Sequence, residues 1–280
     1  MLFHNSIMLR SASPADLPAL RELFADANDA PYDLVRVAEE KCFGEGVSGV
    51  PEVRCIERNT RIVGASVTCG RFLRILAVAR DARRQGLGAQ LLADAEARGA
   101  VVVAAEAGNY FTPGIVDTDE ASLAFFRKRG YLETRWTHNL DVGTEFAADA
   151  GVRRPSHDER ERVLAFVEET FGRIWRFEAA KAFDREIPTI FIAEDANEIT
   201  GFAVHDVNNR GLGFFGPTGV APTLRGRGNG CRLLRASLAD LHRLGHARAV
   251  IPWTDALDFY RKCSDARPAH RFVAFAKSQP

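Results

Sequence analysis

Hydrophobic and polar positions along this chain switch between a helical and an alternating period, and they do so twice in the same order. In the first half, SPADLPALRELFADA (residues 13–27) reads as a helix, with Ser13 as cap and Pro14 in the first turn. VRCIER (53–58) and RIVGASVTCG (61–70) read as two strands around the polar turn Asn59-Thr60, and FLRILAVA (72–79) as a third. A glycine-rich stretch follows, then the helix LGAQLLADAEAR (87–98) and a buried strand AVVVAAEA (100–107). DEASLAFFRKRGY (119–131) predicts another helix, and YLETRWTHNLDV (131–142) an extended segment.

The second half repeats this. SHDERERVLAFVEETF (156–171) is a capped helix, TIFIAED (189–195) and EITGFAVHDV (198–207) are paired strands, and LGFFGPTGVA (212–221) is a strand. A second glycine-rich stretch leads into the helix GCRLLRASLADLHRLG (230–245) and the strand HARAVIPW (246–253). DALDFYRK (255–262) is a short helix and HRFVAFAK (270–277) a closing strand. GTEFAADAGVRRP is poor in large apolar residues and reads as a linker. One α/β unit in tandem is therefore expected: domains over 1–145 and 156–280, joined by 146–155. Hairpins before the glycines and a helix crossover after them predict a mixed, mostly antiparallel twisted sheet flanked by helices in each.

Composition narrows the classes. At 280 residues, two domains of ordinary size fit. With 37 basic and 37 acidic residues the net charge is zero, so no global field draws the chain to nucleic acid or an acidic membrane. Any anion site must be local. Five cysteines (42, 55, 69, 231 and 263) are an odd number without C-x-x-C spacing, which predicts reduced thiols and neither a disulfide framework nor a metal site. The N-terminus MLFHNSIMLRSASPADL lacks a signal peptide's basic start and long apolar run, and no apolar stretch reaches transmembrane length. A cytoplasmic location is the expectation.

The glycine stretches carry the chemistry. RRQGLGAQLL begins at Arg83 and RGRGNGCRLL at Arg225, 142 residues later, and both read Arg-x-x-Gly-x-Gly-x-x-Leu-Leu. A helix start offers unpaired N–H groups and partial positive charge, and glycines let backbone approach an anion closely. A diphosphate suits such a turn. The Rossmann spacing is not met, since Gly226, Gly228 and Gly230 give G-x-G-x-G, and no Walker Gly-Lys-Ser/Thr occurs.

VARDARRQGLGAQLL and VAPTLRGRGNGCRLL resemble the acetyl-CoA loop of the GNAT N-acetyltransferase superfamily. Val78 and Val220 each lie five residues before the motif arginine, as that family's pattern has it. The resemblance implies that coenzyme A is held by Val220, Arg225, Gly226, Arg227, Gly228, Asn229 and Gly230 in the second half. The matching positions of the first are Val78, Arg83, Arg84, Gly86 and Gly88. It implies acetyl-CoA as acyl donor, no metal, and a small-molecule amine as acceptor. In that family a tyrosine before a Lys-x-Gly-aromatic motif often protonates the departing thiolate. DFYRKCS places Tyr260 there, with Ser264 in place of the glycine; AFFRKRGY keeps Gly130 and Tyr131 but has Phe126, which has no proton to give. Tyr110 in GNYFTPG is a loop substitute. His205 and Asp206 at a strand end are candidates for a base, and Asp255 is a weaker one. Cys231, His242 and His246 read as packed or surface residues. FGPTGVAPTLRGRG, ALDFYRK and GNYFTPG further resemble a bacterial tandem group that acetylates glucosamine and glucosaminides, with Trp175 and Trp253 as aromatic faces or core. Three readings stay open: an active second half with a degenerate first, two active halves, or a CoA-binding module without turnover.

Overall fold

A computed structural model describes residues 7–147 and 151–278. The linker positions 148–150 and the first six residues of the N-terminal reading lie outside the described residues. The chain divides into two compact units, 1–136 with 272–280, and 137–271. The division departs from a boundary at 145. Each unit takes in a strand from the other half of the sequence.

In unit 1, β1 (Ile7–Ser11), β2 (Glu52–Arg58), β3 (Arg61–Cys69) and β4 (Phe72–Val78) pair antiparallel in sequence order. The Asn59-Thr60 hairpin forms as expected, both residues taking positive φ (50° and 65°). Beside β4 lies the short parallel strand β5 (Val102–Val103). The expected strand at 100–107 stops there because Ala104 and Ala105 turn into the left-handed region. Helices α1 (Leu17–Ala27), α2 (Ala38–Phe43), α3 (Leu87–Ala97) and α4 (Glu120–Arg127) accompany the sheet. Leu87, Leu91, Leu92 and Ala95 form the buried stripe of α3. Strand β6 (Ile115–Val116) and the start of β7 (Leu132–Gly143) follow. The sheet closes on β12 (Arg267–Ala276), whose end pairs with β5 and β6. Gly114 makes that closure possible, since a Cβ there would lie 2.4 Å from the Val273 carbonyl oxygen.

In unit 2, helices α5 (Arg160–Phe171) and α6 (Arg173–Ala180) precede β8 (Ile190–Asp195), β9 (Glu198–His205) and β10 (Phe215–Val220). These three strands are antiparallel. Helix α7 (Asn229–Arg243) buries Leu233, Leu234, Leu238 and Leu241, and β11 (Arg248–Thr254) pairs antiparallel with the end of β7. Helix α8 (Leu257–Ser264) follows. Strands β10 and β11 touch through one parallel bridge, Phe214 to Val250, and beyond it each pairs with a different partner. Two α/β units with mixed, mostly antiparallel sheets are thus present, as the sequence predicts.

Two cysteine expectations change. Cys231 and Cys263 form a disulfide joining the first turn of α7 to the end of α8, while Cys42, Cys55 and Cys69 are free and buried. The pairing was invisible in sequence because the two positions are 32 residues apart on separate helices.

Candidate functional site

The two glycine turns share one construction. Arg225 Nε donates to the Val220 carbonyl at 3.2 Å, and Arg83 Nε to the Val78 carbonyl at 3.1 Å. The five-residue spacing is therefore the turn closing on its own strand. Gly226 and Gly228 have φ of 83° and 85°; the equivalent Arg84 and Gly86 have 64° and 84°. Both positions need the left-handed region, where a side chain costs about 1–2 kcal/mol. Unit 1 accepts that cost at Arg84. The third glycine has a different task. A Cβ at Gly230 would sit 3.1 Å from the Phe259 ring, and one at Gly88 3.4 Å from the Phe125 ring. Its missing side chain lets the following helix seat against that ring.

The helices begin at once. Arg232 N–H is bonded to the Gly228 carbonyl and Gln90 N–H to that of Gly86. The N–H groups of Asn229, Gly230 and Cys231 thus have no carbonyl one turn back, and they point out of the start of a 15-residue helix. No atom lies within 4 Å of a Cβ built at Gly86, Gly226 or Gly228, so the turns present open backbone. This cradle fits a diphosphate. Arg227 is exposed and lies 3.2 Å from Asp195.

Tyr260 lies on α8, 8% exposed, with its ring edge-on to Phe215 and Phe259 at 6.3 and 4.9 Å. Burial raises its pKa well above the ordinary phenol value, so the hydroxyl keeps its proton at neutral pH. The missing glycine at Ser264 is accommodated: Asp265 takes the left-handed cap (φ 56°), and Ser264 Oγ donates to the Tyr260 carbonyl at 2.9 Å. In unit 1 the equivalent Phe126 is buried among Phe125, Tyr131 and Phe275, at 5.1, 5.3 and 6.3 Å. Tyr110 is buried in the loop between β5 and β6.

The base candidates are placed differently from their sequence reading. His205 is fully buried, and its Nε2 lies 2.7 Å from Asp240 Oδ2. Burial pushes its pKa down to about 3, with the Arg154 guanidinium adding to the effect. Asp240 also pairs with Arg154 at 2.7 Å and with Arg243, so its charge is already balanced and does not hold a second proton on the ring. Asp206 is buried too, accepting from Arg185 at 2.5 Å and from Gly211 N–H at 2.5 Å. Both are committed to internal partners facing away from solvent. Asp255 is exposed at the start of α8. His242 Nδ1 meets Thr144 Oγ1 at 3.2 Å, and the same hydroxyl donates to the His246 carbonyl at 2.5 Å. Trp175 stacks on Phe171 at 5.0 Å, and both pack over Gly219 of β10, where a Cβ would lie 3.0 and 2.6 Å from their rings. Trp253 N–H donates to Asn139 Oδ1 at 2.9 Å.

Unit 1 holds a cavity of about 600 Å³ that runs from its glycine turn along β4 to Phe111 and Phe272. No pattern along the chain announces it, because its walls come from stretches far apart in sequence. Among the described residues no cluster of three or more His, Cys, Asp or Glu could hold a metal, and no helix is long and apolar enough to cross a membrane.

A strand that ends in a glycine turn and an anion-ready helix start define an α/β protein with a place for a diphosphate-bearing ligand in each unit. Residues 36–141 match the acetyltransferase (GNAT) domain profile and residues 156–264 the acetyltransferase (GNAT) family profile. The chain belongs to the GNAT family as a tandem member, in the class of acyl-CoA-dependent N-acetyltransferases. No curated protein sequence matches it. Among solved structures it is similar to the glucosamine N-acetyltransferase region of a fungal multi-domain GH3 β-N-acetylglucosaminidase. That match has a TM-score of 0.79 and 17% identity, and covers 98% of this chain but only 38% of that one. A GCN5-related N-acetyltransferase from Sphaerobacter thermophilus matches with a TM-score of 0.71 and 20% identity, over 97% and 95% of the two chains. A tandem GNAT protein from the clavulanic acid biosynthesis pathway matches at 0.69 and 14%, over 98% and 99%. These likenesses speak to the fold.

Proposed function

We propose that the chain transfers an acetyl group from acetyl-CoA to a small primary amine, with the chemistry in unit 2. Tyr260 carries the assignment: it is a protonated phenol at the position where unit 1 has only Phe126. Acetyl-CoA supplies an activated thioester whose sulfur leaves as a thiolate. The N–H groups that open α7, with Gly226 and Gly228 allowing close approach, would hold the diphosphate, and Arg225 would keep the turn shut. Arg227 and Asn229 flank this cradle. Tyr260 would donate its proton to the sulfur. The burial and internal partners of His205 and Asp206 argue against either as the base, and in this reading the amine would lose its proton to water. An amino sugar is the acceptor class we favour, supported by the resemblance of FGPTGVAPTLRGRG and ALDFYRK to glucosamine-acetylating tandem proteins.

Free thiol release from acetyl-CoA, followed across amino sugars, polyamines and peptide amines, tests the activity. Tyr260→Phe keeps the ring and its packing and should lower kcat about 10²–10⁴-fold with little change in KM. Wild-type turnover by that variant at saturating substrate would leave Tyr260 a packed aromatic like Phe126.

A second reading concerns unit 1. Its turn is built like that of unit 2, but Phe126 is locked in an aromatic cluster. Unit 1 is then a binding unit without turnover.

A further inference from the structure

We propose that the Cys231–Cys263 disulfide is a redox-controlled brace that fixes Tyr260 relative to the N–H groups opening α7, so that unit 2 transfers acetyl groups fastest with the bond closed. The inference rests on the reading that Tyr260 is the acid and that the turn before α7 holds coenzyme A.

The bond joins the two ends of the donor site. Cys231 lies in the first turn of α7, and its N–H is one of those left without a carbonyl one turn back. Cys263 follows Tyr260 by three residues on α8, almost one turn on. A single S–S link therefore connects the backbone that would face the diphosphate to the helix that carries the phenol. The other ties between these helices are non-covalent. Arg235 Nε donates to the Cys263 carbonyl at 2.8 Å, and the Phe259 ring packs over Gly230. Tyr260 and Cys263 also share a buried cluster with Phe215, Leu233 and Leu234, so α8 stays docked when the disulfide opens. What it loses is a fixed place. An eight-residue helix takes its position from what fastens it. A misplacement on the order of 1 Å at a reacting group costs up to about 100-fold in rate.

The brace occurs in the unit that has the phenol. At the matching positions of unit 1, Ala89 stands for Cys231, Arg129 for Cys263 and Ala93 for Arg235. There Arg129 lies over the Phe125 ring at 3.7 Å, beside a Phe126 that has no proton to place. The sulfurs also differ in access. Cys42, Cys55 and Cys69 are at most 1% exposed, and burial raises the pKa of each, so they stay protonated and shielded. Cys231 is half-buried and Cys263 only 2% exposed, so a reductant reaches the bond at Cys231. A thiolate of a small dithiol bonds to the Cys231 sulfur, and Cys263 leaves with the electron pair and takes a proton. The second thiol of the reductant then displaces Cys231 and closes a cyclic disulfide. Two electrons pass to the protein, and both cysteines end as thiols.

The test uses the full-length protein and the amine it acetylates best, with the acetylated product measured by mass spectrometry because a free-thiol assay would read the reductant. Equilibrated with oxidised glutathione and then denatured, the chain should show three thiols, and five after dithiothreitol. Reduction should lower kcat about tenfold. The KM for acetyl-CoA should stay within about twofold, and oxidised glutathione should restore the rate. The double variant Cys231→Ala, Cys263→Ala should have the low kcat under both conditions. In a Tyr260→Phe background reduction should change kcat little, because the group it misplaces is gone. Five thiols after oxidation, or equal kcat in the two states of the wild-type chain, overturns the inference while leaving the transferase reading intact. So does a double variant that matches the oxidised protein or still responds to the dithiol. A full tenfold fall in the Tyr260→Phe background, or a loss confined to KM, would mean that the bond supports unit 2 or its cradle at large, and overturns the positioning of Tyr260. Absence of turnover in both states brings down the proposed function, and the inference with it. Reduction of the wild-type chain decides the matter even where the double variant fails to fold.

Discussion

His205 ends β9 fully buried, with its Nε2 2.7 Å from Asp240 Oδ2. Its imidazole is neutral when folded, because burial and Arg154 hold its pKa near 3, whereas an unfolded histidine titrates near 6.5. The folded state therefore binds fewer protons between those values. The stabilisation is complete above about pH 6.5 and is lost as pH falls from there toward 3. His205→Gln removes the titration and keeps a donor toward Asp240. Thermal melts of this variant should show a shallower loss of stability than wild type between pH 6.5 and 4, and its turnover at pH 7.5 should stay within a few-fold of wild type. A collapse of kcat in a well-folded variant would restore His205 as the base. In sequence this residue was legible only as a histidine at a strand end; its partner Asp240 lies 35 positions on, across the sheet-to-helix packing. The places of Tyr260 on α8 and Phe126 on α4 were legible because each motif is local.

At the scale of elements, the glycine turns were the most readable part of the chain. Their Arg-x-x-Gly-x-Gly spacing encodes a backbone shape: two left-handed positions and an arginine closing on the strand. The role of the third glycine was not readable, because the Phe259 ring that requires it lies 29 residues away on α8. Nor were α2 and β6, which are too short to show a period. Gly228 gives the sharpest test of the turn. With φ at 85° and open space around it, a β-branched residue meets no clash but must leave the left-handed region or bear the strain. Gly228→Val should reshape the N–H cradle and weaken acetyl-CoA binding at unit 2 by at least tenfold, about 1.4 kcal/mol. Calorimetry and the KM for acetyl-CoA would report it, and unchanged values in a folded variant would remove the turn from the donor site.

At the scale of the whole molecule, the tandem repeat in the sequence and the two units in space do not coincide. A division at 145 follows from reading each half as self-sufficient, yet residues 272–276 complete the sheet of unit 1 and residues 137–143 pair with β11 in unit 2. Both crossing strands are strongly apolar or alternating, so the pattern predicts strands correctly and says nothing about which sheet receives them. Unit 1 draws Phe272, Val273 and Phe275 from this segment, all fully buried. A chain ending at residue 271 would expose Val103, Ile115 and the Phe126 cluster to water. Removing three such side chains forfeits about 5–9 kcal/mol of burial, as much as a small domain's whole stability. The truncated protein should lose hydrogen-exchange protection across β5, β6 and α4 and bind ANS, while β8 to β10 and α7 in unit 2 keep theirs. A fragment of residues 1–145 should show the same loosening, and adding a peptide of residues 265–280 should restore part of the protection. Full protection of β5 and β6 in the chain ending at 271 would mean that unit 1 closes without the borrowed strand, and that the boundary lies where the sequence repeat puts it.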